Sequence, residues 1–110
     1  METIDNITKE LREGVLTNDP HRCAEYVGVL SGELSFYLGQ VSELEKNKPV
    51  EWLELRKGFK SDNACEKAWE RTEVGVSISW YKVRIKRIIA LLGGLKTLIK
   101  NCQTEQMNLH

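Results

Sequence analysis

A chain of 110 residues, 41% hydrophobic and 29% charged, is the size of one domain and too apolar to be a disordered chain. Sixteen bases balance sixteen acids, but residues 1–55 hold eleven acids against five bases and residues 56–110 five against eleven. This excludes a uniformly basic or acidic protein and sets an acidic half against a basic one, which a folded hairpin would lay side by side.

The first predicted element is a short amphipathic helix over 4–16, with Ile4, Ile7, Leu11 and Val15 on one side. A long helix follows over 20–47. Asn18 and Asp19 offer capping side chains, and Pro20 takes the first helical position. Cys23, Val27, Leu30, Leu34, Tyr37, Val41 and Leu44 are spaced alternately four and three, which puts them on one seam; Val29 and Phe36 widen it into a buried face. A short helix is predicted over 49–57, started by Pro49 after Lys48, a poor cap. Its apolar side is Trp52, Leu53 and Leu55, and Gly58 stops it.

Ser61 then caps a helix predicted over 61–102, with Asp62 in its first turn. Trp69 lies one turn ahead of a second seam: Val74, Ile78, Tyr81, Ile85, Ile88, Leu92, Leu95, Ile99 and Cys102. Residues 74–80 are rich in β-branched side chains and include Gly75, so a kink is expected near 75 although the helical phase continues. Gly93 and Gly94 each cost about 1 kcal/mol relative to Ala, and close approach of a neighbouring helix is the expected reason. Residues 103–110 read as a frayed polar tail. The fold class is all-α: a hairpin of two long antiparallel helices with short flanking helices. Wide apolar faces predict a homo-oligomer, with a dimer closing a four-helix bundle favoured.

Cys23, Cys65 and Cys102 are odd in number, far apart and in no C-x-x-C arrangement, so no disulfide framework or zinc site is expected, and free thiols fit a reducing cytosol. The N-terminus lacks the basic start and apolar run of a signal peptide. Ile88 to Leu92, the longest apolar run, is far too short to span a bilayer. A soluble cytoplasmic protein without membrane partners is the expectation.

Three constellations could carry chemistry. Trp80, Lys82, Arg84, Lys86, Arg87, Lys96 and Lys100 lie in a stretch, 74–104, without one acid; cations beside an aromatic ring suit single-stranded nucleic acid, although such a row also serves as a solvent face or pairs with the acidic half. Glu33, Glu43, Glu45, Glu51 and Glu54 make an acidic surface suited to a protein partner. Glu51 with Glu54, and Glu70 with Glu73, form two E-x-x-E pairs that could hold Mg²⁺. This last pattern is similar to the all-helical MazG-like nucleotide pyrophosphohydrolases, which would imply Mg²⁺-dependent hydrolysis, but Glu73 stands where that family has Asp. Acids in a first helical turn also stabilise the dipole, which explains Glu51 and Glu54 without a metal. His21 and Cys23 point to different helix faces, so no local nucleophile pair is built. Trp52, Trp69 and Trp80 read as core or interface anchors.

Two stretches carry a further resemblance: Leu30-Ser-Gly-Glu-Leu-Ser-Phe-Tyr-Leu-Gly-Gln with Lys48-Pro-Val-Glu-Trp-Leu-Glu-Leu-Arg56, and Lys60-Ser-Asp-Asn-Ala-Cys-Glu-Lys-Ala-Trp-Glu-Arg-Thr-Glu-Val-Gly75. Over residues 23–102 the chain resembles small helical bacteriophage proteins encoded near single-strand annealing and recombination genes. The resemblance implies a non-enzymatic accessory protein in the host cytosol, binding DNA or the annealing machinery, with no catalytic residue and no cofactor. The alternative it leaves is an anti-CRISPR-like inhibitor of a host defence nuclease.

Overall fold

The computed structural model describes residues 2–108. They form five helices: α1 (Glu2–Glu13), α2 (Pro20–Glu45), α3 (Lys48–Arg56), α4 (Asp62–Glu70) and α5 (Glu73–Asn108). No strand occurs among the described residues, and the long pair α2 and α5 packs as the hairpin expected. None of these helices is long and apolar enough to cross a membrane.

The start signals act as the residue types dictate. Asp19 Oδ1 accepts from Arg22 N at 3.1 Å at the head of α2, and Ser61 Oγ accepts from Ala64 N at 3.2 Å at the head of α4. Before α3, Asn47 makes no side-chain cap, and proline does the starting.

Three boundaries differ from expectation by more than two residues. The first helix ends at Glu13, because Gly14 adopts φ +74°, a left-handed conformation that side chains resist. Val15 therefore leaves the helical phase and is exposed, while Leu16 is buried in its place. The helix expected from Ser61 to Cys102 is two helices, broken at Arg71–Thr72 rather than near Gly75. Thr72 Oγ1 donates to Trp69 O at 2.7 Å and accepts from Gly75 N at 3.1 Å. One side chain thus closes α4 and caps α5. Finally, α5 runs on through 103–108, where a frayed tail was expected; Leu109 and His110 lie outside the described residues.

Residues up to Ser35 and from Lys86 onward form one compact unit, and Phe36–Ile85 form a second. In the first unit, α1 and the adjoining parts of α2 and α5 bury Ile4, Ile7, Leu16, Cys23, Leu30, Ile88, Leu91, Leu92 and Leu95. Polar ties close its edges: Arg22 to Glu10 at 2.5 Å, Arg87 to Asp5 at 2.8 Å, and the Cys102 thiol donating to Thr17 O at 3.4 Å. Burial pushes the Cys23 thiol above its ordinary pKa, with the neighbouring Cys102 and Asp19 adding to the effect.

The second unit is centred on Val41, Trp69 and Ile78, with Leu44, Trp52, Leu55, Val74, Tyr81 and Ile85 packed around them. Glu66 joins α3 to α4: its carboxylate accepts from the Trp52 indole at 2.8 Å and from Lys48 Nζ at 3.2 Å. The Lys48 ammonium also lies 5.7 Å from the centre of the Trp69 ring. Arg56 pairs with Asp62 at 2.6 Å across the intervening turn.

Both predicted seams are buried or half-buried throughout. Their flanks are not: Val29 and Phe36 are exposed rather than extending the buried face, and Leu53 points outward from α3. Gly93 has no atom within 4 Å of the position a Cβ would take, so close approach does not account for it, whereas at Gly94 the nearest atom is Leu11 Cδ1 at 3.9 Å.

Candidate nucleic-acid interface

Helix α5 carries all seven residues expected to form the cationic strip, and its geometry divides them. Residues two apart on a helix point about 200° apart, so Trp80 and Arg84 face away from Lys82 and Lys86. Lys86, Lys96 and Lys100, all in the first unit, fall within an arc of about 80° and span about 21 Å of helix. All three are exposed, and none pairs with a described side chain.

The other four are engaged. Lys82 Nζ lies 3.0 Å from Glu45 in the second unit. Arg87 pairs with Asp5 at 2.8 Å and reaches Thr8 Oγ1 at 3.4 Å, pinning α1 to α5. Arg84 lies over the Trp80 indole, its guanidinium carbon 3.6 Å from the ring centre. Trp80 also meets Tyr37 and Tyr81 edge to face, with centroids 6.2 and 5.0 Å apart. An indole with one face under a guanidinium and its flanks against tyrosines is a poor stacking platform for a base. The expected aromatic contact to nucleic acid therefore separates from the lysine face.

Trp52 and Trp69 are anchors, one bonded to Glu66 and the other in the core under Lys48. The acidic set expected to meet a protein partner is scattered. Glu45 is paired with Lys82, Glu54 with Lys57 at 3.0 Å, and Glu43 points to a different side of α2 from Glu45. Glu33 is half-buried with Oε2 unbonded, and Glu51 is exposed on α3.

The two E-x-x-E pairs do not converge. No group of three or more His, Cys, Asp or Glu placed to hold a metal exists among the described residues, so Glu51, Glu54, Glu70 and Glu73 are corrected from a candidate Mg²⁺ set to separate surface acids. The carboxylate with the most elaborate surroundings is instead Glu66, which joins two helices. Its partners Trp52 and Lys48 are 14 and 18 residues away, beyond the reach of helical periodicity. His21 is exposed and lies 3.1 Å from Glu25, while Cys23 is buried with its thiol on Leu16 O, so the two are apart as expected.

The stretch from Lys60 to Gly75, one of the two that carry the phage resemblance, is a structural joint. Ser61 and Thr72 are caps, Cys65 and Trp69 are buried, and Gly75 allows the contact between α4 and α5. Compared with known proteins, the chain matches no family model, no curated protein and no solved structure.

Proposed function

We propose that the protein is a non-enzymatic accessory protein that acts as a homo-oligomer and binds single-stranded DNA through the Lys86–Lys96–Lys100 face of α5. The observation that carries this reading is the row itself. Three exposed ammonium groups stand on one helix face, paired with no described side chain, in a stretch, 74–104, without an acid. Lys82 and Arg87, by contrast, are paired with Glu45 and Asp5. A host-cytosol role beside phage annealing proteins follows from the sequence resemblance. Neither the scattered glutamates nor the separated E-x-x-E pairs assemble a surface for the two alternatives.

Contacts of this kind are to phosphate and carry no sequence preference. Three phosphates engaged per chain give log K against log salt a slope of about −2 for a single strand, or roughly a fifteen-fold loss of affinity between 50 and 200 mM salt. The test is fluorescence anisotropy of a labelled oligonucleotide titrated at several salt concentrations with the native chain and with Lys86→Ala/Lys96→Ala/Lys100→Ala. The triple variant is expected to lose binding and flatten the slope. No binding of the native chain at low salt, or binding untouched in the variant, overturns the assignment.

A further inference from the structure

The second unit exposes apolar side chains that the fold leaves uncovered. On α5, Val76, Trp80 and Val83 follow one another at spacings of four and three, on the side away from Lys82, and are 54%, 46% and 66% exposed. On α2, Phe36 is 58% exposed. Phe36 and Trp80 flank the same buried ring, their centroids 5.7 and 6.2 Å from that of Tyr37, so they open on one side of this unit. Large apolar side chains clustered in this way mark a contact surface.

The charges beside them identify what fits. Glu43 is exposed on the turn of α2 two turns beyond Phe36, without a described partner. Arg84, one turn beyond Trp80, stacks on the indole, and among the described residues its buried Nε has no hydrogen-bond partner. Beyond these two residues the pattern is general: α2 holds only acids between Arg22 and Lys46, and α5 only bases between Glu73 and Glu105. On this side α2 therefore offers Phe36 beside acids and α5 an apolar row beside bases, so that each can complement the other. A two-fold axis lays α2 of one copy on α5 of the next and repeats the contact in reverse.

We propose that this face binds a second copy of the chain, with Phe36, Val76, Trp80 and Val83 as the apolar centre and Glu43 of each copy meeting Arg84 of the other. This deepens the oligomer part of the reading above and rests on it, but is independent of the lysine face.

The test is sizing with light scattering, without nucleic acid, on Glu43→Arg and Arg84→Glu. Each variant alone faces like charge across the axis and is expected to dissociate about tenfold or more easily than the native dimer. Mixed in equal amounts, the two restore opposite charges at both contacts, and a mixed dimer is expected. Val83→Glu, at an exposed position that should not disturb folding, is expected to be monomeric. Circular dichroism checks that each variant is folded; should Arg84→Glu fail to fold, Val83→Glu decides. A native chain that stays monomeric, a dimer unaffected by Val83→Glu, or folded charge variants that do not recover on mixing overturn the proposal. A monomer that still binds oligonucleotide removes this interface and leaves the lysine face standing. A dimer that binds none does the reverse.

Discussion

Replacing Gly75 with Ala tests the joint between α4 and α5. An ideal Cβ there would lie 2.1 Å from Trp69 O, 2.9 Å from Glu70 Cα and 3.0 Å from Trp69 C, all backbone atoms. The contact cannot be relieved by a side chain turning away. The end of α4 has to retreat from α5, which strains the two Thr72 hydrogen bonds at 2.7 and 3.1 Å and pulls on Trp69, a 5% exposed member of the core. Overpacking costs about 1–3 kcal/mol and a weakened cap about 1 kcal/mol, against a gain of about 1 kcal/mol from alanine's helix propensity. The net loss is about 2 kcal/mol, or roughly 8–16 °C in Tm for a unit of this size. All three tryptophans lie in the second unit, so indole fluorescence follows its melting while circular dichroism follows both units. Gly93→Ala is the control: with nothing within 4 Å, it is expected to stabilise by up to about 1 kcal/mol. A Gly75→Ala protein that melts at or above the native temperature would refute the joint.

Glu66→Ala leaves the Trp52 indole and Lys48 without their shared acceptor; an expected loss of about 1–2 kcal/mol in urea unfolding, followed by fluorescence, checks that this carboxylate ties α3 to α4. Of the three thiols, Cys102 is half-buried and Cys23 and Cys65 are buried, so a colourimetric thiol reagent should find one fast site per native chain, abolished by Cys102→Ser. The raised Cys23 pKa sets a sign. The folded thiol keeps its proton at a pH where the unfolded one has lost it, so its contribution is full below the unfolded pKa and falls as pH rises through the folded value. Denaturation from neutral to alkaline pH should show a smaller loss of stability in Cys23→Ala than in the native chain.

What was legible in the sequence was what a single helix can encode. The two seams, the caps at Asp19 and Ser61, and the starts at Pro20 and Pro49 all rest on neighbours within four residues. The break at Arg71–Thr72 was not, because the apolar phase runs on past it: the two Thr72 bonds are local, but they form only where the end of α4 lies against residue 75, an approach that the backbone of Glu70 and Trp69 leaves to a glycine. Gly75 was recognisable as unusual, but as a weak helix position, when its actual role is the space it leaves for Trp69. Gly14, which the apolar phase of 4–16 runs straight through, ended α1 three residues early by its left-handed φ.

The cationic strip shows the same limit from the functional side. Composition and spacing identified seven residues, but pairing decides which charges remain available. Arg87 is neutralised by a partner 82 residues away and Lys82 by Glu45, distances at which no local pattern gives warning. Once these are set aside, the strip resolves into two unlike surfaces. Lys86, Lys96 and Lys100 present charge around a single large exposed apolar side chain, Ile89, which suits a hydrated polyanion better than a dry contact. Trp80 and Arg84 present an indole and an unsatisfied guanidinium beside Val76 and Val83, which suits a dry contact with a carboxylate at its edge. A nucleic acid docked on the second surface would leave the valines wet, and a protein helix docked on the first would gain little but screened charge pairs. The two proposed surfaces would therefore take different classes of partner, and each can be tested without the other.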